Sequence, residues 1–506
     1  MELAGVFKSS CSVIMWANTV FCGTIDDVQQ KDFHYIIEQI FGEDSILGTI
    51  VIRNNPSGRP IPTGFAIAHE YAIFASFSKN VKIDKLPREE KHNLRYKEKD
   101  EKGNYMWELL RKRGSNSRRE DAPKSYFPFF VKNGYIRLPK MKWDDERNFW
   151  KVEETPSLDE ISVYPVDENN VQRNWRWGIE TAIANVKELK CVIKNGNPII
   201  YYKFYSPEGI TPTTNWIESK YSATEHGTGI VKHFFERYQP FSYPKSIFAV
   251  MDCVEVSGIK NLENGICLDF FAGSGTTAHA VLSLNKEDQG SRKYILVEMA
   301  EYFDTVMKPR IQKVCYSLNW KDGSPQDTDG QSHIFKYFSL ESYEDSLNNI
   351  TFDTSVQKTL MDLEGYFLNY VLDFETRDSP CRLTVENLKH PFDYQLKVIR
   401  DNSEQTVKVD LPETFAYLIG LHVKIRRAFS HPDIGRYLVY HGTTREGTVT
   451  VIWRNCEQID LTKDKDFVMK TILTDIPKAE TLYLNGEFII PGAHGLDRVF
   501  KERMGA

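Results

Sequence analysis

The 506-residue chain has 22 prolines but no two adjacent ones, and its eight cysteines include no Cys-x-x-Cys pair. His69-Glu70 is not followed by a second histidine at the spacing of a His-Glu-x-x-His zinc motif. Cysteines this far apart provide neither a disulfide framework nor a zinc-finger pattern, which favours a reducing, intracellular setting. The spacing of cysteines and histidines therefore predicts no metal site.

Long apolar runs are also lacking. Residues 13–22, VIMWANTVFC, form a short apolar stretch, and no small-residue cleavage site clearly follows it. A membrane span needs about 20 apolar residues. We therefore expect no signal peptide, no membrane association and a cytoplasmic location.

Charge is distributed unevenly. The net charge of −6 excludes a uniformly basic nucleic-acid coat protein, but residues 79–140 hold 18 Lys and Arg against 9 Asp and Glu. This excess of nine positive charges leaves about −15 on the rest of the chain. Taken alone, such a run fits a solvated face as well as a nucleic-acid interface.

The length suggests two to four domains, and two segments show an α/β pattern. Residues 13–52 predict a strand, a helix from Val28 to Phe41 and the strand ILGTIVI. Residues 265–316 predict the strand ICLDFF, the helix TTAHAVLSLN, the strand KYILVEM and a helix from Tyr302 to Tyr316. After a polar linker at 321–333, we expect an α+β region with a helix LPETFAYLIGLHVKI, a hairpin YLVYHGTTREGTVTVIW and an Asn485-Gly486 turn.

The strongest local signal is LDFFAGSGTT at residues 268–277. Glycines directly after a strand and before a helix let a ligand approach the main chain. A P-loop would need Lys and then Ser or Thr after the last glycine; Thr276 and Thr277 follow instead, which disfavours ATP or GTP hydrolysis. The glycine spacing leaves NAD open, because Ala278 fits a dinucleotide loop. A tight turn without any ligand is the remaining interpretation.

Two acidic residues favour one cofactor over the others. Glu298, at the end of the next predicted strand, can accept hydrogen bonds from the hydroxyls of an adenosine ribose. Asp269 lies beside the glycine loop, where its charge would repel a pyrophosphate and attract a cation. S-adenosylmethionine, which carries positive charge, fits this pair better than NAD.

LDFFAGSGTTAHAVLSLN, RKYILVEM and EYFDTVMKPR resemble the cofactor-binding half of β-class amino-methyltransferases, in particular the Mod subunit of type III restriction-modification systems. FCGTIDD, QRNWRWGIE, HGTG and YPKS are also similar to segments of that family. The resemblance covers roughly residues 20–320. It implies a Rossmann-like α/β sheet of seven strands, interrupted by a target-recognition region and followed by an α+β domain. The implied divisions are 1–78 and 241–320 for the two parts of the sheet, 79–240 for target recognition and 334–506 for the C-terminal domain.

The implied activity is transfer of a methyl group from S-adenosylmethionine to N6 of adenine within a short DNA sequence. The resemblance further implies a homodimer that binds double-stranded DNA and a helicase-nuclease restriction subunit. The residues implied to bind the cofactor are Asp269, Phe270, Phe271, Ala272, Gly273, Ser274, Gly275, Thr276 and Glu298.

The family's catalytic motif, Asp-Pro-Pro-Tyr, is absent from these 506 residues, as the lack of adjacent prolines shows. In the family this motif holds the adenine amino group and stacks on the flipped base, so the catalytic residues stay unknown. We therefore expect a shortened or split member, inactive alone. A catalytically inactive DNA-binding relative is the main alternative, and an RNA methyltransferase is a weaker one.

The basic segment and the Trp-Arg-Trp element are the predicted DNA contacts. Arginines and lysines neutralise phosphates, whereas tryptophans can stack on bases. Tryptophans two residues apart are also typical of a strand with one buried face, and alone they favour a core position. The predicted DNA-binding residues are Arg111, Lys112, Arg113, Arg118, Arg119, Arg173, Trp175 and Arg176.

Overall fold

The computed structural model describes residues 19–340, except 195, 237–239 and 263, and residues 388–503, except 401–402. The chain divides into two compact units, residues 1–334 and 335–506. Helices and strands occur in both, and the fold is mixed α/β, as predicted. No helix in the described ranges combines the length and apolar character needed to cross a membrane.

The strands of the first unit are β1 (Phe21–Ile25), β2 (Ile46–Ile52), β3 (Glu70–Ala75), β4 (Glu98–Asp100), β5 (Gly103–Leu109), β6 (Phe129–Lys132), β7 (Tyr135–Arg137), β8 (Met141–Asp144), β9 (Phe149–Val152), β10 (Ile161–Val163), β11 (Leu189–Lys194), β12 (Asn197–Tyr205), β13 (Asn215–Trp216), β14 (Ile266–Asp269), β15 (Lys293–Leu296), β16 (Trp320–Lys321) and β17 (Ser324–Pro325). Its α-helices are α1 (Gln30–Phe41), α2 (Glu90–Asn93), α3 (Ile179–Ala184), α4 (Ile230–Phe234), α5 (Ile247–Val256), α6 (Thr276–Asp288) and α7 (Lys308–Tyr316), and π-helical turns span Thr224–Gly229 and Phe303–Met307.

A four-stranded sheet with the order β1-β3-β2-β13 holds the first predicted α/β segment. β3 is antiparallel to both β1 and β2, so β1 and β2 run in the same direction, joined by α1. The apolar spacing of α1 explains its packing, because Ile37 and Ile40 are buried against Ile73 of β3. The predicted strand, helix and strand are confirmed from Phe21 onward; residues 13–18 of the first predicted strand lie outside the described residues.

The middle of the first unit contains the sheets β11-β12-β5-β4 and β10-β6-β7 and the hairpin β8-β9. Its core collects aromatic side chains, including Phe127, Phe129 and Trp175. Within this packed region, the basic run at 79–140 contributes the strands β4, β5, β6 and β7.

The glycine-loop segment forms a parallel pair, β14-β15, with α6 between the two strands. This pair and the four-stranded sheet are separate sheets in the described part of the chain, whereas we predicted a single seven-stranded sheet. The difference arises because no described strand hydrogen-bonds to the second edge of β1 or of β14.

The second unit contains β18 (Gln395–Arg400), β19 (Ser403–Lys408), β20 (His422–His431), β21 (Gly435–Thr444), β22 (Gly447–Arg454), β23 (Thr481–Leu484) and β24 (Ala493–Gly495), with α8 (Leu411–Leu418), α9 (Leu461–Phe467), α10 (Leu473–Asp475), α11 (Leu496–Arg503) and a π-helical turn at Val468–Ile472. The sheet β20-β21-β22-β23-β24 is buried on both faces: Leu438 and Tyr440 pack on one side, and Tyr437 and Val439 on the other.

The predicted hairpin at 437–453 is confirmed as β21 and β22, but the predicted helix before it is too long. The helix predicted over LPETFAYLIGLHVKI ends at Leu418, because Gly420 has a φ of +65° and the residues after it pair with β21 as β20. The chain bends at the predicted Asn485-Gly486 turn, where Gly486 has a φ of +63°, and the strands on either side, β23 and β24, are parallel. The Asn485 amide is buried, donating to the carbonyls of Leu388 and Arg454.

A fully buried ion pair joins the strands of this unit to α9. Asp464 accepts hydrogen bonds from Arg454 Nε at 3.0 Å and from the Tyr437 hydroxyl at 2.8 Å. Removing one partner of a buried pair leaves the other charge without compensation, which typically costs about 3–5 kcal/mol.

We therefore predict that Asp464→Ala destabilises β21 and β22 by about 3–5 kcal/mol. Hydrogen–deuterium exchange of the full chain would show this as faster exchange at Gly435–Thr444 and Gly447–Arg454. Asp433→Ala is the control, because it removes only an exposed partner of Lys463. Equal exchange in the two variants would contradict the prediction.

Candidate cofactor site

The carboxyl ends of β1 and β2 lie at one edge of the four-stranded sheet. Ile25 at the end of β1 is opposite Tyr71, and Ile52 at the end of β2 is opposite Glu70. The loop 53–69, which joins β2 to β3, therefore projects from this edge. We call this end of the sheet the carboxyl edge.

A short segment, residues 241–245, connects the glycine loop to the carboxyl edge. A Cβ placed on Gly273 would lie 3.2 Å from the Phe241 ring, which also packs edge-on against Tyr302. Four residues later, Lys245 forms an ion pair with buried Glu70 at the start of β3. The glycine loop of the β14-β15 pair and the carboxyl edge of the four-stranded sheet therefore lie close to each other.

The predicted strand, glycine loop and helix are confirmed in their order and nearly in their bounds. β14 ends at Asp269, and α6 begins at Thr276 with Gly275 as its N-cap. Gly273 and Gly275 have φ values of +53° and +76°, which residues other than glycine rarely adopt. A Cβ on Gly275 would also lie 2.8 Å from Met307. The fold therefore requires glycine at both positions.

Two carboxylates hold this loop from its open side. Asp269 accepts hydrogen bonds from Phe271 N at 3.1 Å and from Thr277 Oγ1 at 2.6 Å. Glu298 accepts from the main-chain nitrogens of Gly273, Met299 and Ala300 at 2.9–3.1 Å. A carboxylate has about four acceptor positions. Asp269 therefore keeps capacity for a donor on a ligand, whereas Glu298 is also hydrogen-bonded to the Tyr302 hydroxyl, which a ligand would have to displace. Both groups present negative charge.

A guanidinium holds the loop from behind. Arg310 of α7 is fully buried and donates to Ser274 O, Ser274 Oγ, Thr276 Oγ1 and His279 Nδ1 at 2.9–3.2 Å. Burial lowers the pKa of Arg310 to about 9, and burial together with the charge of Arg310 lowers the pKa of His279 well below its usual value. His279 is therefore neutral, with Nδ1 as the acceptor.

This arrangement buries the side chains of some predicted cofactor residues and leaves those of others exposed to a ligand. The side chains of Ser274 and Thr276 face Arg310 in the interior, so only their main-chain atoms are available to a ligand. Ala272 is buried, while Phe271, which packs on Phe270, is largely exposed. Sequence reasoning missed Arg310, Thr277 and Phe241; for Arg310 the one signal was its place in EYFDTVMKPR.

The carboxyl edge holds a polar cluster that we also did not predict. The Tyr71 hydroxyl donates to Asp27 at 3.3 Å and lies 3.0 Å from His69 Nε2. Burial, and then the nearby Asp27, raises the pKa of Tyr71. Asp27 lies more than 40 positions before His69 and Tyr71 in the chain and meets them only because β1 pairs with β3.

A profile of N6 and N4 DNA methylases matches residues 9–308, which is more than half of the chain. The chain belongs to the DNA methylase family. The resemblance described above for the glycine-loop segment is thereby confirmed.

Individual relatives agree with this assignment. The type II methyltransferase M.KpnI of Klebsiella pneumoniae is 32% identical over 278 residues, which are 54% of this chain and 61% of that protein. The Mod subunit of the type III restriction-modification enzyme EcoPI, from Escherichia phage P1, is 27% identical over 308 residues, 59% of this chain and 44% of its own. The EcoP15I Mod subunit of Escherichia coli is 25% identical over 300 residues, 56% and 43% of the two chains. The chain spans about half the length of the curated relatives it matches.

Within this DNA methylase, some residues predicted to bind DNA are occupied by other contacts. Trp175 is 2% exposed and its Nε1 donates to Phe127 O, so it is a core residue and cannot stack on a base in this conformation. Arg111 is buried and paired with Glu168, and Arg173 is paired with Asp167. The prediction failed for Trp175 because its period-2 spacing reflected a buried face.

The other predicted DNA contacts are more accessible. Arg113, Arg118 and Arg176 are exposed, although Arg176 also pairs with Glu108. Lys112 is half-buried, and Arg119 lies 4.6 Å from the centre of the Tyr126 ring. The candidate phosphate contacts of this DNA methylase are therefore a smaller set than the basic run suggested.

A cavity of about 400 Å³ lies beside α6, away from the glycine loop's open side. Its walls include Phe234, Phe248 and Trp320. Of the residues that contact Arg310 behind the glycine loop, only His279 also lines this cavity. Neither Asp269 nor Glu298 lines this cavity.

We predict that Arg310→Lys loosens the glycine loop. Lysine keeps a positive charge but lacks the planar fork that donates to four acceptors, and an unpaired buried polar group costs about 1–3 kcal/mol. Hydrogen–deuterium exchange at residues 270–277 should become about tenfold faster or more. Arg113→Lys, on the surface, is the matched control; unchanged exchange in Arg310→Lys would show that the guanidinium does not hold the loop.

Proposed function

We propose that this DNA methylase binds S-adenosylmethionine and transfers its methyl group to N6 of adenine at a specific DNA sequence, as the modification subunit of a restriction-modification system. The observation that carries the proposal is the pair of carboxylates, Asp269 and Glu298, fixed on the open side of a glycine loop. Two of the relatives described above, the Mod subunits of the type III enzymes EcoPI and EcoP15I, support the biological setting.

The residues present fit this cofactor. When bound, S-adenosylmethionine supplies an electrophilic methyl group on a positively charged sulfur. Glu298 would accept from the ribose hydroxyls, and Asp269 would attract the cofactor's cationic groups, while Phe271 and Met299 offer exposed apolar surface to its adenine ring. The negative charge of Asp269 beside this loop would repel the pyrophosphate of NAD.

We further propose that the four-stranded sheet β1-β3-β2-β13 and the pair β14-β15 are parts of one Rossmann-like sheet, with the position of a further strand between β1 and β14. Helix α5 packs Ala249 and Cys253 against the four-stranded sheet, and Ile247 and Met251 against α6 and β14. Two edge strands that share one helix layer, each with an edge lacking a described partner, offer hydrogen-bonding groups to a further strand.

Three cysteine thiols, one each on β1, β14 and α5, lie near one another. A hydrogen bond with Cys22 of β1, with burial, raises the pKa of Cys253 in α5 well above its usual value. Burial, and then Asp269 and Cys22, raises the pKa of Cys267 in β14 to about 12. We propose that the strand position lies beside these thiols and accepts the strand that carries the family's catalytic tetrapeptide.

DNA recognition belongs to the same proposal. The exposed arginines of the middle region would contact phosphates of double-stranded DNA, and a homodimer with a helicase-nuclease restriction subunit is the assembly we propose. The alternative is a DNA-binding subunit without catalysis, which the missing Asp-Pro-Pro-Tyr favours. The intact glycine loop favours the enzyme.

We predict that the chain binds S-adenosylmethionine in titration calorimetry and that Gly273→Val abolishes binding. Valine would be strained at a φ of +53° and would collide with Phe241. Gly178→Val is the control, because its Cβ would meet open space. Asp269→Asn, which keeps the size of the side chain, should weaken binding without unfolding. Undiminished binding by both loop variants would refute the assigned loop.

We also predict that these 506 residues alone transfer no measurable methyl group to duplex DNA. The groups that would orient the adenine amino nitrogen are absent, and losing a single positioned transition-state contact costs about 10²–10³ in rate. The assay uses tritiated cofactor, with and without a relative's N-terminal fragment that carries Asp-Pro-Pro-Tyr. Transfer that appears only with the fragment, and disappears when its aspartate becomes alanine, is the expected result. Robust transfer by the chain alone would mean that other residues replace the motif.

A further inference from the structure

Nearly fully exposed apolar side chains are concentrated at one end of the first unit. Among the described apolar side chains that are at least 80% exposed, five lie on loops and turns at the carboxyl edge or beside the glycine loop. Leu158 and Ile334 are the exceptions in this unit. Exposed apolar clusters mark surfaces that meet a partner. The five are Val28, Phe65, Tyr243, Phe271 and Met299.

Among these, Phe65 is presented by a braced loop. Within the loop 53–69, Arg59 and Ile67 exchange two main-chain hydrogen bonds of 2.7 and 3.0 Å, and Asn55 N donates to Ala68 O. Pro60 and Pro62 restrict the tip between these contacts. Phe65, which is 97% exposed, therefore stands out from a loop whose base is fixed to the sheet.

The position of this loop relates it to the reaction. It leaves the sheet at the carboxyl edge, and the segment 241–245 connects that edge to the glycine loop through Lys245–Glu70 and Phe241. Arg59 at the loop's base is exposed and positively charged, which suits a phosphate. The loop thus offers an exposed aromatic ring and, at its base, an exposed cation, on the face that also carries the proposed methyl-donor site, which suits a duplex from which one base has been removed.

We propose that Phe65 inserts into the DNA stack at the target adenine and occupies the space that the adenine leaves when it turns toward the glycine loop. This proposal rests on the proposed function and adds a residue to it. A base cannot be methylated at its amino group inside the duplex, so it must be taken out, and the gap in the stack is unfavourable. An aromatic side chain that stacks on the neighbouring bases offsets part of this cost, whatever their sequence. Phe65 is thus a positioning residue; it does not touch the methyl group.

The test uses duplexes with and without one central abasic position, which presents the gap independently of the recognition sequence. We expect the chain to bind the abasic duplex about tenfold more tightly than the intact one. Phe65→Ala should lose this preference and retain binding to the intact duplex. Phe65→Trp, which keeps a flat ring, should preserve the preference. Leu158→Ala, which removes an equally exposed apolar side chain elsewhere, is the matched control.

The outcomes separate this inference from the proposed function. If Phe65→Ala keeps the full preference for the abasic duplex, or if Leu158→Ala loses it equally, the insertion of Phe65 is refuted while DNA binding stands. If no variant binds either duplex, the proposed DNA substrate is refuted, and the insertion of Phe65 with it. Titration with S-adenosylmethionine is an independent measure, and Phe65→Ala should leave it unchanged, because Phe65 has no part in holding the cofactor.

Discussion

The glycine loop depends on a buried cation that has no carboxylate partner among the described residues. Arg310 is compensated only by neutral acceptors, two on Ser274 and one each on Thr276 and His279. Burying a guanidinium in this way is costly, and the cost is offset only when several hydrogen bonds are made with good geometry. The loop cannot move without breaking them. The open side, where Asp269 and Glu298 bind main-chain nitrogens, is therefore fixed before any ligand arrives.

A second constraint is the shared support of the two sheets. α5 packs on both, and the segment before it carries Phe241 to the glycine loop and Lys245 to Glu70. Through these contacts the end of β14 and the ends of β1 and β2 form one functional face, although the strands belong to different sheets. The placement of Asp27, His69 and Tyr71 beside this face follows from the same pairing of β1 with β3.

The middle region shows how a charged run is used inside a folded protein. Arg111 and Arg173 pair with Glu168 and Asp167, so these charges are offset within the middle region itself. Charge that is paired internally contributes little to attraction of phosphates. The proposed contact with DNA therefore rests on the smaller set of exposed arginines and on the exposed apolar side chains at the carboxyl edge.

The sequence by itself determined the elements whose signals are local. The strand before Asp269, the helix from Thr276, the helix ending at Phe41 and the 437–453 hairpin all follow from short-range periodicity and turn residues, and the family follows from the string around the glycines. Tertiary structure alone decided the rest. Arg310 meets Ser274 across 36 positions, Trp175 turned inward, and HVKI became a strand because β21 was available to pair with it. The loop that presents Phe65 shares a face with the glycine loop for the same reason. Periodicity fixes which side of an element is apolar, but the partner that covers it, or leaves it exposed, comes from contacts between distant parts of the chain.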